Sequence, residues 1–291
     1  MDPFDVCVVG SANLDIVATT TRHPLPGETV HGIAYHEYPG GKGLNQAVAA
    51  ARSGADVAFV GAVGADDAGR YLLATANASN VDTTGVTVDD ERPTGRAIIS
   101  VDRQAENCIV VVPGANGRRS VPRIPSARVV LAQLEVPVEV VIGAFRQART
   151  HGSITVLNPA PAGRLPDELL SLCDLIIPNE HEVEMIGGVE MLHRAGVRSV
   201  IVTAGSRGAM VSDRTATPAT WSQPSWPVDV IDSTGAGDAF CGGFAARLAA
   251  GDTLASAVRW GVAAGALATT VRGAVPSLPL AADVERQLAA S

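Results

Sequence analysis

Lysine is almost missing from this chain: of 22 basic residues, only Lys42 is not an arginine. Positive charge as a whole is scarce, since 30 acidic residues leave a net charge of −8. That balance excludes nucleic-acid binding driven by phosphate neutralisation, so any anionic ligand must be held by local features. Cysteine is sparse and scattered. Cys7, Cys108, Cys173 and Cys241 form no C-x-x-C pair and no metal-ligand spacing, which favours free buried thiols in a reducing cytoplasm. No apolar run reaches the length of a membrane span. The first residues carry no basic region followed by an apolar stretch, so a soluble cytoplasmic protein without a secretory leader is expected.

What is present is small and apolar. The hydrophobic fraction is 46%, mostly Ala, Val, Leu and Ile, a composition that suits helices packed on a parallel sheet and excludes disorder. Apolar stretches at 5–9, 56–63, 129–132, 153–157, 175–177 and 199–203 read as strands. Between them, 43–53, 68–78, 136–150 and 180–186 read as helices. This alternation predicts an α/β fold with a doubly wound, mostly parallel sheet. Two stretches, 16–36 and 94–112, break the rhythm and read as a small antiparallel sheet, either a lid or an edge used in dimer contact. The last third reads as helices at 239–249, 254–270 and 281–290. One domain spanning 1–291 is expected.

Four further features carry chemistry besides the lysine. Asp232-Ser-Thr-Gly-Ala-Gly-Asp-Ala-Phe240 follows an apolar stretch, 228–231, that reads as a strand, and it opens a helix. Backbone N–H groups at a glycine-rich helix start form an anion cradle. The dinucleotide pattern G-x-G-x-x-G fails, because Phe240 fills the third glycine position. Asp238 lies inside this cradle, where a carboxylate would repel a static pyrophosphate. It suits a base that takes the proton from a hydroxyl attacking a phosphoryl group, whose charge the amides of Gly235, Ala236 and Gly237 stabilise. A helix-start Asp that answers the dipole is the plain alternative.

Lys42 lies in Tyr38-Pro-Gly-Gly-Lys-Gly-Leu-Asn-Gln-Ala47, at a helix start where the dipole disfavours a cation. It is not a Walker A lysine: Gly43 replaces Ser or Thr, and His36 stands where the first glycine belongs. A slim ammonium between glycines fits a sugar-sized hydroxyl ligand better than arginine's planar fork. Asn13 and Asp15 follow the first strand, spaced to point the same way, and suit vicinal hydroxyls or a turn. In Pro178-Asn-Glu-His-Glu182, Asn179, Glu180 and Glu182 either hold hydrated magnesium or cap a helix. His181 has no His or Cys partner at ligand spacing, which excludes zinc. Thr203-Ala-Gly-Ser-Arg-Gly208 is a nucleotide contact or a tight hairpin turn.

Together and in this order, these five segments resemble the PfkB/ribokinase family of carbohydrate kinases over nearly the whole chain. Gly40-Gly-Lys-Gly-Leu-Asn-Gln-Ala47 resembles the first family signature, and Asp232 to Phe240 resembles the second. Pro26-Gly-Glu-Thr-Val30, Pro113-Gly-Ala-Asn116, Gln133-Leu-Glu135 and Asn158-Pro-Ala-Pro161 extend the likeness. The resemblance implies a ribokinase-like fold with an antiparallel β lid from segments 16–38 and 94–112, and a homodimer. It implies ATP-dependent phosphorylation of D-ribose at its primary hydroxyl, with Mg2+ and K+ as cofactors.

The resemblance also implies roles by position. Asn13, Asp15, Gly41, Lys42, Asn45 and Glu135 would bind the sugar, with Asp238 as base and Gly235, Ala236 and Gly237 as anion hole. Asn179, Thr203, Gly205, Ser206, Gly208 and Gly237 would line the ATP site. Val262 would join them, at a position where the family often has a polar residue. Glu182 would organise magnesium through water. Asp232, Thr234, Ala268, Val271, Gly273 and Ser277 would surround potassium, mainly through backbone oxygens. Two connections, 117–126 and 187–197, look short for the family. Deoxyribose, fructose or another ketose, and nucleosides are alternative acceptors, and Asn13, Asp15, Asn45 and Glu135 favour a small pentose. Asp238 speaks against a non-catalytic sugar-binding regulator, and the missing third glycine against an oxidoreductase.

Overall fold

In the first strand, Phe4–Val9, Val6 and Val8 join one buried apolar cluster while Cys7 and Val9 join another. Alternate side chains of a strand point to opposite faces, so a strand in which Val6, Cys7, Val8 and Val9 are all buried is covered on both. The computed structural model, which describes residues 3–104, 106–217 and 219–290, shows what covers it. Helices Lys42–Arg52, Asp67–Ala78, Ala236–Ala249 and Leu254–Ala268 lie on one face, and Val138–Thr150 and Asp167–Leu172 on the other.

The main sheet has nine strands in the order Thr220–Gln223, Ala209–Asp213, Ser199–Thr203, Leu175–Ile176, Ile154–Leu157, Ala127–Ala132, Phe4–Val9, Val57–Val60, Val81–Asp82. All neighbours are parallel except those made by the first two strands, which close one edge as an antiparallel meander. The expected strand at 56–63 is split at Gly61 into Val57–Val60, in the main sheet, and Ala62–Gly64, which pairs with Thr87–Asp89; a Cβ on Gly61 would lie 2.6 Å from Gly10 O. The expected strand at 228–231 does not form. Val230 and Ile231 are exposed there, and the N–H groups of Ile231 and Asp232 both donate to Thr269 O instead of pairing with a strand.

A separate four-stranded sheet runs Gly32–Gly40, Asn13–Thr20, Gly95–Val101, Asn107–Val112. Its outer pairs are antiparallel hairpins, as expected, but the two hairpins join through a parallel central pair. Only Gly10, Ser11 and Ala12 separate the core strand Phe4–Val9 from Asn13–Thr20, so the small sheet leaves the body at the carboxyl ends of the main strands.

Candidate active site

Open parallel sheets bind ligands beyond the carboxyl ends of their strands, and the chemistry-bearing residues gather there. Helix Lys42–Arg52 starts at Gly41, whose φ is 88° and where a Cβ would fall 2.7 Å from Asn13 N. At Gly40 a Cβ would fall 2.1 Å from Asp15 Oδ2. Glycine therefore lets the helix start press against Asn13 and Asp15. The backbone N–H of Lys42 donates to Glu135 Oε2 at 3.0 Å, and Ser11 Oγ donates to the same oxygen at 2.6 Å. Asn116 Nδ2 donates to Asn13 Oδ1 at 2.8 Å, which leaves Asn13 its amide nitrogen for a ligand.

Asp238 is buried in the first turn of helix Ala236–Ala249 and receives one N–H on each oxygen. Asn45 Nδ2 donates to Oδ2 at 2.8 Å and Gln46 Nε2 to Oδ1 at 2.9 Å. With its nitrogen committed, Asn45 keeps a buried Oδ1 that has no partner among the described residues. Burial, with the nearby Glu135 and Asp238 carboxylates, pushes the Asp15 carboxyl up to about 7. Burial alone would lower the ammonium of Lys42, but Asp238, Glu135 and Glu182 outweigh it and hold its pKa above the ordinary value. One cation thus stands among carboxylates, a setting that admits a neutral polyhydroxylated molecule.

A cavity of about 300 Å³ adjoins this cluster, lined by Lys42, Asn179, Glu182, Thr203, Gly235, Gly237 and Asp238 among others. Gly235 caps the helix in the left-handed region at φ 79°. A Cβ on Gly237 would meet nothing within 4 Å, so the missing side chain there leaves open space in the cavity it lines. Ala236 N–H is drawn to Ser233 O in a long 3.3 Å contact.

Opposite, Asn179 and Glu182 form a capping box in which each backbone N–H donates to the other's side chain at 2.8 Å. The capping reading is realised, and Glu182 still faces the cavity. Thr203 bridges to Asn179, and the chain then turns through Gly205–Arg207 and Gly208 into the antiparallel strand Ala209–Asp213, the tight turn anticipated for this segment. Gly205 and Ser206 are exposed on that turn, while Val262 is packed in the apolar core.

The residues implied for a monovalent cation form a second, adjacent group. Asp232 ties two segments together, accepting from Thr234 N on Oδ1 and Gly273 N on Oδ2, both at 2.9 Å. Burial works against its ionised form, but these donors and nearby Arg272 hold the Asp232 carboxyl below the usual range. Ser277 Oγ donates to Ala274 O, Ala268 is buried, and Val271 is exposed. An anchored carboxylate beside a turn-rich stretch of carbonyls fits a hard cation.

Several polar residues in or behind this site had no role read from the sequence: Ser11, Gln46, Asn116, Gln133 and Asn158. Their segments carried the family likeness, but only the folded chain shows what each one binds.

Residues 4–281 match the family described as pfkB family carbohydrate kinase. A ribokinase of Staphylococcus aureus is 36% identical over 97% of this chain and 98% of its own, and one of Haemophilus influenzae is 39% identical over 94% of each. The solved structure of Arabidopsis thaliana ribokinase complexed with ribose and ATP superimposes with a TM-score of 0.89 at 32% identity, over 99% of both chains. The chain is thus a member of the pfkB family of carbohydrate kinases.

Proposed function

We propose that this protein is an ATP-dependent sugar kinase that phosphorylates D-ribose on its primary (5-) hydroxyl. The observation that carries the reading is Asp238, a carboxylate buried at a glycine-capped helix start with both oxygens oriented by amide donors and its edge on the cavity. The sugar sits against Lys42, with Asn13 Nδ2 as donor and Asn45 Oδ1 as acceptor. Asp15 and the remaining oxygen of Glu135 accept further hydroxyl protons. Asp238 takes the proton of the primary hydroxyl as its oxygen forms a bond to the γ-phosphorus. The bond from that phosphorus to the bridging oxygen breaks, and ADP leaves. The N–H groups of Gly235, Ala236 and Gly237, at the positive end of a helix dipole, face the charge on the transferring group.

Asn179, Thr203, Gly205, Ser206 and Gly208 border the nucleotide, and Val262 supports it from the core. Glu182 would hold hydrated Mg2+ through water, which would spread charge on the phosphates. Asp232, Thr234, Ala268, Val271, Gly273 and Ser277 would hold K+, whose charge supports the fold of the loop before the anion cradle.

The small sheet acts as a lid over the sugar and as a dimer contact. Ile109, Val110, Val111 and Val112 are 45–62% exposed on its outer strand, an apolar run that a second copy would cover. A single-domain protein working in the cytoplasm agrees with this reading.

Coupled ADP release with ribose, deoxyribose, fructose and adenosine, with and without potassium, tests the proposal. Ribose is expected to be the best acceptor, with stimulation by potassium. Highest turnover on adenosine would overturn the sugar assignment.

A further inference from the structure

Behind Asp238 lies a chain of three amides, each oriented by the next. Asn158 Nδ2 donates to Ile177 O at 2.8 Å. A carbonyl can only accept, so Asn158 turns its oxygen toward Gln46, whose Nε2 donates to it at 3.1 Å. The same nitrogen donates to Asp238 Oδ1 at 2.9 Å, and Gln46 Oε1 accepts from Gln133 Nε2 at 2.5 Å. A flip of Gln46 would set its oxygen against both Asp238 and Asn158, and its nitrogen against a donor. Only one orientation of Gln46 makes all three of its contacts.

The arrangement is costly. Gln46 and Gln133 are 0% exposed and Asn158 is 8% exposed, and buried amides stabilise nothing unless fully paired. Gln133 Oε1 has no partner among the described residues, and it occupies the space a Cβ on Gly10 would need, 2.1 Å away. Apolar side chains of similar volume would fill the same space without an orphaned oxygen. None of the three amides caps a helix. What they do is connect the base to the carboxyl ends of three neighbouring parallel strands, Ala127–Ala132, Ile154–Leu157 and Leu175–Ile176.

We infer that Gln46 is a positioning residue for phosphoryl transfer, oriented by Gln133 and Asn158, and that it sets the plane of the Asp238 carboxylate toward the incoming hydroxyl. The inference rests on Asp238 being the base. Asn45 holds one carboxylate oxygen and Gln46 the other. Without Gln46 the carboxylate turns about its remaining contact, and its free lone pair is no longer aimed at the cleft.

The test is a double-mutant cycle of Gln46→Met and Asp238→Asn, with ribose and ATP as substrates. Gln46→Met is expected to lower kcat about 10- to 100-fold, the size of a lost hydrogen bond to a charged group. KM for both substrates should stay within about threefold, while the melting temperature should fall by a few degrees, because Asn158 Oδ1 and Gln133 Nε2 lose their buried partner. In the Asp238→Asn background, Gln46→Met should change residual turnover by less than about twofold, because the effect passes through the carboxylate. Gln133→Met, which touches neither base nor cleft, should show a smaller kcat loss in the same direction, and it serves if Gln46→Met does not fold.

Normal kcat in Gln46→Met and Gln133→Met, a loss confined to KM, or full additivity with Asp238→Asn would each overturn the inference. Near-normal turnover in Asp238→Asn alone would instead overturn the assignment of the base.

Discussion

Replacing Asp15 by Asn should stabilise the unliganded protein while abolishing its grip on sugar, and both effects can be sized. Burial, then Glu135, then Asp238 raise the Asp15 carboxyl from 3.8 to about 7. The sign follows from linkage: a carboxyl raised on folding favours the folded state when protonated and penalises it when ionised. Relative to a neutral isostere, Asp15 costs nothing below about pH 4. The penalty grows as pH rises to about 7 and is constant above that. The full interval corresponds to about 4 kcal/mol as an upper bound. Water in the open cleft and mobile ions reduce this to about 1–3 kcal/mol.

At about 2 °C per kcal/mol for a chain of this size, Asp15→Asn should melt about 2–6 °C higher than the parent at pH 8 and equally at pH 4. Saturating ribose should reverse the order at pH 8, because the parent gains binding energy that the variant has lost. Differential scanning fluorimetry across pH 4–9, with and without ribose, reads both arms. A variant that melts lower than the parent at every pH without sugar would refute the electrostatic reasoning. Equal stabilisation of both proteins by ribose would refute the contact.

Three further outcomes follow from the same geometry. Asp238→Asn should retain ribose binding by calorimetry and lose about two to four orders of magnitude in turnover, the worth of a general base. Lys42→Met should cut kcat/KM about 100- to 1,000-fold, as loss of a preorganised cation at the reacting centre does. Lys42→Arg should not restore it, since a planar fork replaces a compact ammonium, and recovery in the arginine variant would refute the steric argument. Gly242→Ala should lower stability by about 1–3 kcal/mol in denaturant unfolding, because its Cβ would fall 2.4 Å from Gln46 O and 2.8 Å from Ala50 N. Wild-type stability there would show that the two helices can part without cost.

The sequence made some of this site legible through local oddities. A lone lysine between glycines and an acid inside an anion cradle are anomalies against elementary rules, and both lie on the cavity. Asn179 and Glu182 were legible as a cap or as ligands. The capping box is formed, and the same two side chains line the cleft, so the local pattern alone could not separate the readings.

Pairings between distant segments were not legible. Gln46 meets Asp238 across 192 residues, Asn158 across 112 and Gln133 across 87, and no local pattern encodes such partners. The parallel pairing of Asn13–Thr20 with Gly95–Val101 was hidden for the same reason, whereas each hairpin was readable from its own stretch. At 228–231 an apolar stretch suggested a strand, but a strand also needs a neighbour with a free edge, and Thr269 O supplies only a single acceptor.

The two family signatures are halves of one structural object. Helices Lys42–Arg52 and Ala236–Ala249 touch backbone to side at Gly242, and that closeness lets short amides span the gap, so Asn45 and Gln46 reach Asp238 on the neighbouring helix. Their two N-termini open on one cavity, with Lys42 at one and Gly235, Gly237 and Asp238 at the other. Two dipole ends and an ammonium make that cavity receptive to phosphate, while Asp238, Glu135 and Asp15 keep its sugar side acidic. The cost of a cation at a helix start, about 0.3–1 kcal/mol, is offset because Lys42 faces the carboxylates of Asp238, Glu135 and Glu182 at once. Moving either helix relative to the other would separate the base from its amides and the lysine from its carboxylates together. On the proposed reading, alignment of hydroxyl, base and phosphate is therefore set by the packing of two helices, and not by the loops that lead into them.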